Sequence, residues 1–431
     1  MKIKIYAKFW TMVPIMVFCL SSCTDFLTLT PVNRTEEDGY YSSGQRIDQS
    51  VVGAYVDLRR ALLNNHAFLM YGEARAGDLD LKVDYLTYVK SQQLKANKFE
   101  IKQLTDWGYF YDVVSSANDV LNILETADDD ALTEDRRKLY KGEALALKSM
   151  AYFYLVRIWG DIPSAEAADF GQKLTAAAAL DRAVSYAREA ISLLPWTLLN
   201  DDGIESPTLS AIRFNKTSAT MLLAQQELWR GKGTEAYSEL QKLFVDGSVR
   251  TGFSLSMGKD RLVTISQTPL NGAVVSIPVD KISSIYSAED KRLGNLFTFP
   301  TGQNYATLIV KDQSTLELLK ISELNLLLSE AAWRANNLED ARKYLIQASV
   351  GAAEDYSLLT EDTFGDALLL ERQRMLIGTG QRFFDLIRFG KVSSFVPGLS
   401  EDAVQRGAAH WPLSTRSILN NSLSQNSYWS N

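Results

Sequence analysis

Residues 143–163 read EALALKSMAYFYLVRIWGDIP, and this stretch decides the fold class. Starting at Tyr140, apolar residues recur at Ala144, Leu147, Ala151, Leu155 and Ile158, at spacings of three and four. That period lays a stripe along one face of an α-helix. Asp128-Asp129-Asp130 and Thr133-Glu134-Asp135 precede it. Such residues cap a helix start and complement its dipole. Gly160-Asp161-Ile162-Pro163 stops it, since Pro lacks the N–H that a helix needs and disfavours helix in the residue before it. The same period runs over roughly 46–64, 107–125, 176–194, 216–231, 234–246, 315–335, 339–349, 365–377 and 380–390. Strand-like alternation is scarce. In 253–312 Gly, Pro, Ser and Thr break up short apolar runs such as Ala273-Val274-Val275, which reads as loops with a few short strands.

Two segments repeat each other. Residues 222–236 read LLAQQELWRGKGTEA and residues 326–341 read LLLSEAAWRANNLEDA. Trp229 aligns with Trp333 and Arg230 with Arg334, and a short polar turn follows each. A helix, a tight turn and a second helix, with small residues at the crossing, is the pattern of tetratricopeptide-like hairpins. The pairs around 107–125, 136–159 and 176–194 supply further hairpins, and at least three are needed for a stable stack. The fold class is therefore all-α, built on helical hairpins with an irregular second lobe.

Composition narrows the chemistry. The 431 residues are 46% hydrophobic and 23% charged, a globular balance. The net charge is −7, from 52 acids against 45 bases, which disfavours nucleic acid as a partner. Only two His and two Cys are present. Zinc clusters and disulfide frameworks have too few ligands, and hydrolytic triads have only His66 and His410 to draw on. No cofactor or metal is called for. Gly378-Thr379-Gly380 and Gly231-Lys232-Gly233 follow no strand, so they read as helix-end turns and not as dinucleotide loops. Asp78-Leu79-Asp80 reads as a turn. An acid pair for glycoside hydrolysis leaves no spacing signature, but no nucleophile motif or His partner accompanies one.

The N-terminus reads as a leader. Lys2, Lys4 and Lys8 precede the apolar run Phe9–Leu20 (FWTMVPIMVFCL). That run is well short of the roughly 20 residues of a membrane span, and Pro14 interrupts it. Leu20-Ser21-Ser22-Cys23 follows and looks like a bacterial lipobox, in which the Cys is lipidated after cleavage. The expected layout is a signal peptide over 1–22, a lipid tether and extended lead-in over 23–45, and a body over 46–431. In that body a helical scaffold covers about 46–249 and 313–349. A loop-rich lobe covers 250–312 together with the C-terminal part 350–431.

Four stretches, in order along the chain, make it resemble the SusD/RagB family of Bacteroidetes outer-membrane lipoproteins. They are Asp25-Phe26-Leu27…Pro31 with Val52-Gly53-Ala54-Tyr55…Leu58-Arg59; the 143–163 stretch; Glu371-Arg372…Gly380-Gln381-Arg382-Phe383-Phe384-Asp385-Leu386-Ile387-Arg388-Phe389-Gly390-Lys391; and Pro412-Leu413…Asn420-Asn421-Ser422-Leu423-Ser424-Gln425-Asn426-Ser427-Tyr428. Met375 and Thr379 stand where the family carries Glu, and Ser414 where it carries Pro. The lost acids imply a thinner salt-bridge network around Arg372, Arg374, Arg382 and Arg388, with Arg382, Asp385 and Arg388 forming an intrahelical set. The resemblance implies about four tetratricopeptide-like hairpins and a loop-rich lobe. It implies a lipid-anchored, surface-exposed protein that binds an oligosaccharide, or in some members a peptide, and delivers it to a SusC-like TonB-dependent transporter without catalysis. The alternatives are a scaffold that only docks the transporter and, last, a glycoside hydrolase.

Sugar capture needs flat apolar faces with polar groups at the rim, which aromatic side chains supply. Trp107-Gly108-Tyr109-Phe110-Tyr111 matches the first-hairpin pattern and is assigned to packing. Tyr85 and Tyr88 in the loop-like 79–106 stretch, and Phe253, Tyr286, Phe297, Phe299 and Tyr305 in the irregular region, are the ligand-binding candidates. Asp80, Asp84, Lys90 and Arg292 are candidate rim contacts.

Overall fold

The computed structural model describes residues 44–127, 132–200, 202–245, 248–249, 255–258, 275–309, 315–419 and 423–430. Cys23, residues 1–22 and Phe253 lie outside the described residues. Helices dominate, and four hairpins form the scaffold. The first pairs α1 (Gly44–Leu63) with α2 (Gly108–Thr126). The second pairs α3 (Glu134–Trp159) with α4 (Ala176–Leu193). The third is α5 (Lys216–Trp229) with α6 (Gly233–Gln241), and the fourth α7 (Leu324–Arg334) with α8 (Leu338–Ala348). Each hairpin packs on the next, α2 on α3, α4 on α5 and α6 on α7. Among the described residues no helix is long and apolar enough to cross a membrane.

Local chemistry sets the helix starts. Thr133 Oγ1 accepts from Arg136 N at 3.3 Å and Thr175 Oγ1 from Ala178 N at 3.2 Å. Asn215 and Ser218 form a reciprocal capping box, both bonds at 3.0 Å. Each such cap satisfies backbone donors that the helix itself leaves unpaired.

The 143–163 stretch does more than its stripe implies. α3 is buried on all faces from Gly142 to Trp159, not along one side. It is the central helix, enclosed by α1, α2, α4 and α5. Arg157, 4% exposed, lies within 4.1–4.4 Å of the ring centroids of Phe153, Tyr154 and Phe384. Aromatic faces offer a buried guanidinium partial compensation for lost water. The repeated Trp-Arg steps play matching parts. Trp229 meets Phe153 at 6.1 Å and Phe384 at 6.4 Å, while Trp333 stacks on Phe389 at 6.2 Å. Arg230 pairs with Glu227 at 3.0 Å and Arg334 with Glu330 at 3.0 Å.

Two expectations need correction. The helix expected over 315–335 is a strand, Thr315–Leu319, followed by α7 from Leu324. The strand pairs antiparallel with Leu255–Gly258, so a distant partner settles an apolar run whose period is ambiguous. The thinner salt-bridge network is corrected in part, because other elements supply acids, while Arg372 Nη1 and Arg382 Nη1 have no hydrogen-bond partner among the described residues. Beyond the scaffold run α9 (Glu361–Leu376) and α10 (Arg382–Arg388). Arg372 on α9 reaches Asp385 at 2.9 Å and Glu323 at 3.1 Å. Arg388 reaches Glu330 at 2.7 Å and Asp385 at 2.7 Å. Arg374 pairs with Glu354 at 2.5 Å, and Arg382 with Asp78 at 3.3 Å and not with Asp385.

Candidate functional site

The connection between α1 and α2 is long, and it carries the first half of the candidate surface. It begins with Asn65 and His66, both left-handed at φ 50° and 54°. Non-glycine residues in that region are uncommon, and here both are held by side chains. Asn65 Nδ2 donates to Gln103 Oε1 at 2.7 Å, and His66 Nδ1 lies 2.7 Å from the Tyr85 hydroxyl. Three short helices follow, Ala67–Gly72, Leu86–Lys90 and Phe99–Leu104. In the last, Ile101 and Leu104 are buried while Phe99 is 69% exposed.

The second half is an antiparallel sheet. β1 (Ser276–Pro278) and β2 (Phe297–Thr298) flank β3 (Tyr305–Leu308), with Pro278 opposite Tyr305 and Ser276 opposite Thr307. Asp80 joins the halves. Its N–H donates to Ser276 O at 2.7 Å and its carbonyl accepts from Ser276 N at 2.9 Å. The connection that carries Tyr88 and Phe99 is thus stitched to the sheet that carries Tyr305.

The candidate residues divide by burial. Tyr85 is 6% exposed, Tyr286 3% and Phe297 2%. Tyr286 donates its hydroxyl to Arg374 O at 2.7 Å and meets Phe297 edge-on at 5.7 Å. Burial raises the phenol pKa of both Tyr85 and Tyr286, so each stays protonated. These three hold the lobe together and present no free face. Tyr88 and Tyr305 are half-buried, and Phe299 is 49% exposed, 6.4 Å from Phe297. Phe99 was not singled out by sequence. Its signal was an apolar residue off the buried face of a short helix. Trp107 and Phe110 pack inside, against Trp159 at 6.3 and 6.0 Å.

Most charged candidates are committed to one another. Lys90 pairs with Asp80 and Lys98 with Asp84, each at 2.5 Å. Arg292 is buried, bound to Asp290 at 2.6 Å and to Glu371, and is no rim contact. Asp78 belongs to the same interior, facing Arg382 and Lys281. What these two segments leave accessible is the aromatic faces of Phe99 and Phe299, with the half-buried Tyr88 and Tyr305, while the nearby charges are neutralised in ion pairs. That arrangement suits an uncharged ligand with apolar C–H faces and polar edges.

Stacked helical hairpins carry a loop-built lobe. Part of the chain is similar to SusD-like proteins. Residues 25–225 match a SusD-like family described as "Starch-binding associating with outer membrane". A SusD-like protein of Bacteroides ovatus is 27% identical over 150 residues, 33% of this chain and 26% of that protein. One from Formosa agariphila is 22% identical over 158 residues, 34% of this chain and 29% of that protein. The matched stretch therefore spans under a third of these relatives. In fold the likeness is broader. A SusD superfamily protein from Bacteroides thetaiotaomicron superposes with TM-score 0.75 at 21% identity, covering 90% of this chain and 99% of that one. Surface glycan-binding protein A from the same organism, in complex with laminarihexaose, superposes with TM-score 0.65 at 18% identity, covering 89% and 99%.

Proposed function

We propose that this protein captures an oligosaccharide at the cell surface, without catalysis, and hands it to a TonB-dependent outer-membrane transporter, held to the membrane by a lipid on Cys23. The observation that carries the reading is that two aromatic faces, Phe99 and Phe299, stay exposed on segments joined through the Asp80–Ser276 bridge. It is supported by the starch-binding description of the matching family and by a structural relative in complex with laminarihexaose. Hand-over to a channel requires release, so affinity at this surface is modest.

The test is an affinity screen of the soluble 24–431 chain against glycan and peptide panels. A glycan binds saturably, and Phe99→Ala or Phe299→Ala weakens it about tenfold, the equivalent of roughly 1.4 kcal/mol. Binding of peptides alone, or glycan binding indifferent to Tyr88, Phe99, Phe299 and Tyr305, contradicts the reading. For the anchor, Cys23→Ala releases the protein from outer membranes in cells that lack the transporter. Continued partition of that variant with membranes would show that the Cys carries no lipid anchor.

A further inference from the structure

The corner that opens the connection between α1 and α2 runs against the preference of its own backbone. Asn65, at φ 50° and ψ 35°, and His66, at φ 54° and ψ 36°, are consecutive left-handed residues. A Cβ crowds the following carbonyl in that region, so glycine is the residue that enters it freely. The fold uses glycine for the left-handed turns at Gly77 and Gly160 nearby in the chain and in the scaffold. At this corner it uses two side chains that do something glycine cannot.

The two reach different elements. Asn65 Nδ2 donates to Gln103 Oε1 at 2.7 Å, and Gln103 Nε2 donates to the Tyr109 hydroxyl at 3.3 Å. Gln103 lies one turn beyond Phe99 on the helix Phe99–Leu104, so the two share a face. His66 Nδ1 lies 2.7 Å from the Tyr85 hydroxyl, and the two rings stack with centroids 6.5 Å apart. Tyr85 leads directly into the helix Leu86–Lys90, which carries Tyr88. One corner thus grips both of the helices that bear aromatic rings of the loop surface.

Other contacts leave the spacing of these helices loose. Leu86, Val89, Ile101 and Leu104 are buried, but apolar burial is non-directional and decides only which side faces inward. Lys98 ties the two segments together by pairing with Asp84, whose side chain is 74% exposed, and exposed pairs hold weakly. The Tyr71 hydroxyl donates to Leu104 O at 2.8 Å, at the end of the helix away from Phe99. The corner bonds are short and directional, and they act on both helices at once.

We infer that Asn65 and His66 are positioning residues, whose side chains set the spacing and rotation of the helices that carry Tyr88 and Phe99. Their role rests on the proposal that this surface binds sugar. Rings already held in their bound places lose little freedom when a ligand arrives. Left-handed strain persists only where the surroundings hold it, and it gathers at binding sites.

The 24–431 chain allows a direct test, because both Cys of the sequence, Cys19 and Cys23, lie outside it. Thr87→Cys and Lys102→Cys place nitroxide labels at exposed positions, one on each helix, with Tyr88 and Phe99 intact. The parent gives one narrow distance peak by electron spin resonance. Asn65→Gly and His66→Gly broaden it, while the denaturant midpoint holds, because glycine relaxes the backbone as the side-chain bonds are lost. Gln103→Glu keeps an acceptor for Asn65 and keeps the narrow peak, and Gln103→Leu does not. Unlabelled proteins are titrated with maltohexaose, cellohexaose, mannohexaose and xylohexaose. A sugar that binds the parent binds His66→Gly about tenfold more weakly and Gln103→Glu as well as the parent. An unchanged peak in both glycine variants, or a broadened peak with unchanged sugar affinity, overturns the inference. So does a midpoint that falls in step with affinity in every variant, which is the mark of packing alone. If none of the sugars binds the parent, the reading of the surface falls while the label distances still decide whether the corner positions the helices, so the two proposals fail separately.

Discussion

Glu330→Gln should lower the stability of the folded chain by about 3–5 kcal/mol, the cost of breaking a buried ion pair by removing one partner. Glu330 is fully buried on α7 and accepts from Arg388 at 2.7 and 2.8 Å and from Arg334 at 3.0 Å. Around it, Arg372 and Arg388 share Asp385, and Arg372 reaches Glu323. Three bases face three acids in this interior, and the amide leaves one positive charge without a counterpart. Burial alone would raise the Glu330 pKa. Arg388, Arg372 and Arg334 outweigh it and hold the carboxyl near 2, below its ordinary 4.5. A depressed carboxylate pKa gives stability that is complete above the unfolded value and lost as pH falls through the folded one. The gap between parent and variant is therefore widest above pH 4.5 and closes toward pH 2. Glu73 slopes the opposite way, since burial raises its pKa to about 7, and comparison of parent with variant cancels it. Denaturant unfolding of both proteins between pH 3 and 7 checks the size and the slope. A gap below about 1 kcal/mol, or one that widens in acid, would contradict this account.

That network also marks where sequence reading stops. The period over 143–163 was enough to place α3, because 3.6-residue spacing is a local property. The Trp229 and Trp333 steps exposed the hairpin repeat for the same reason. Asp385 lies on α10 within a turn of Arg388, but Glu323 and Glu330, the other acids that serve Arg372 and Arg388, sit on α7 and its approach, and no local pattern links them to α9 and α10. The strand Thr315–Leu319 was misread because its partner, Leu255–Gly258, is far away in sequence. The candidate site suffered likewise. Being aromatic and in a loop-like stretch selected Tyr85, Tyr286 and Phe297, but aromatics are also what a small lobe uses as its core. Phe99 differs from them only by pointing away from Ile101 and Leu104, a distinction of register within one helical turn.

Gly72→Ala should be the more damaging change, costing above ~4 kcal/mol and in practice the folded protein. Gly72 ends the short helix Ala67–Gly72, and a Cβ there would lie 1.7 Å from Gly380 O and 2.5 Å from its carbonyl carbon. Gly380 adopts φ +77°, and a Cβ on it would lie 2.4 Å from Phe68 O. Two backbones touch here through paired glycines, so no rotamer change relieves the overlap, and packed interiors yield little. The only relief is to part the elements by well over an ångström. The adjacent Glu73 carboxylate would then lose Gly378 N at 2.6 Å and Gly380 N at 2.7 Å, its backbone donors. Phe384, 3.0 Å from the new Cβ, would be pushed off Arg157 and Trp229. Gly53→Ala is the control: it lies in α1 with nothing within 4 Å of its Cβ, and Ala in a helix interior gains up to ~1 kcal/mol over Gly. Soluble yield and denaturant midpoints distinguish the two. If Gly72→Ala unfolds at the parent's midpoint, the backbone contact is absent in solution. This contact joins the segment that leads into the candidate ligand loops to the α9–α10 turn, so its loss would unseat the lobe even in a chain whose hairpins still stack.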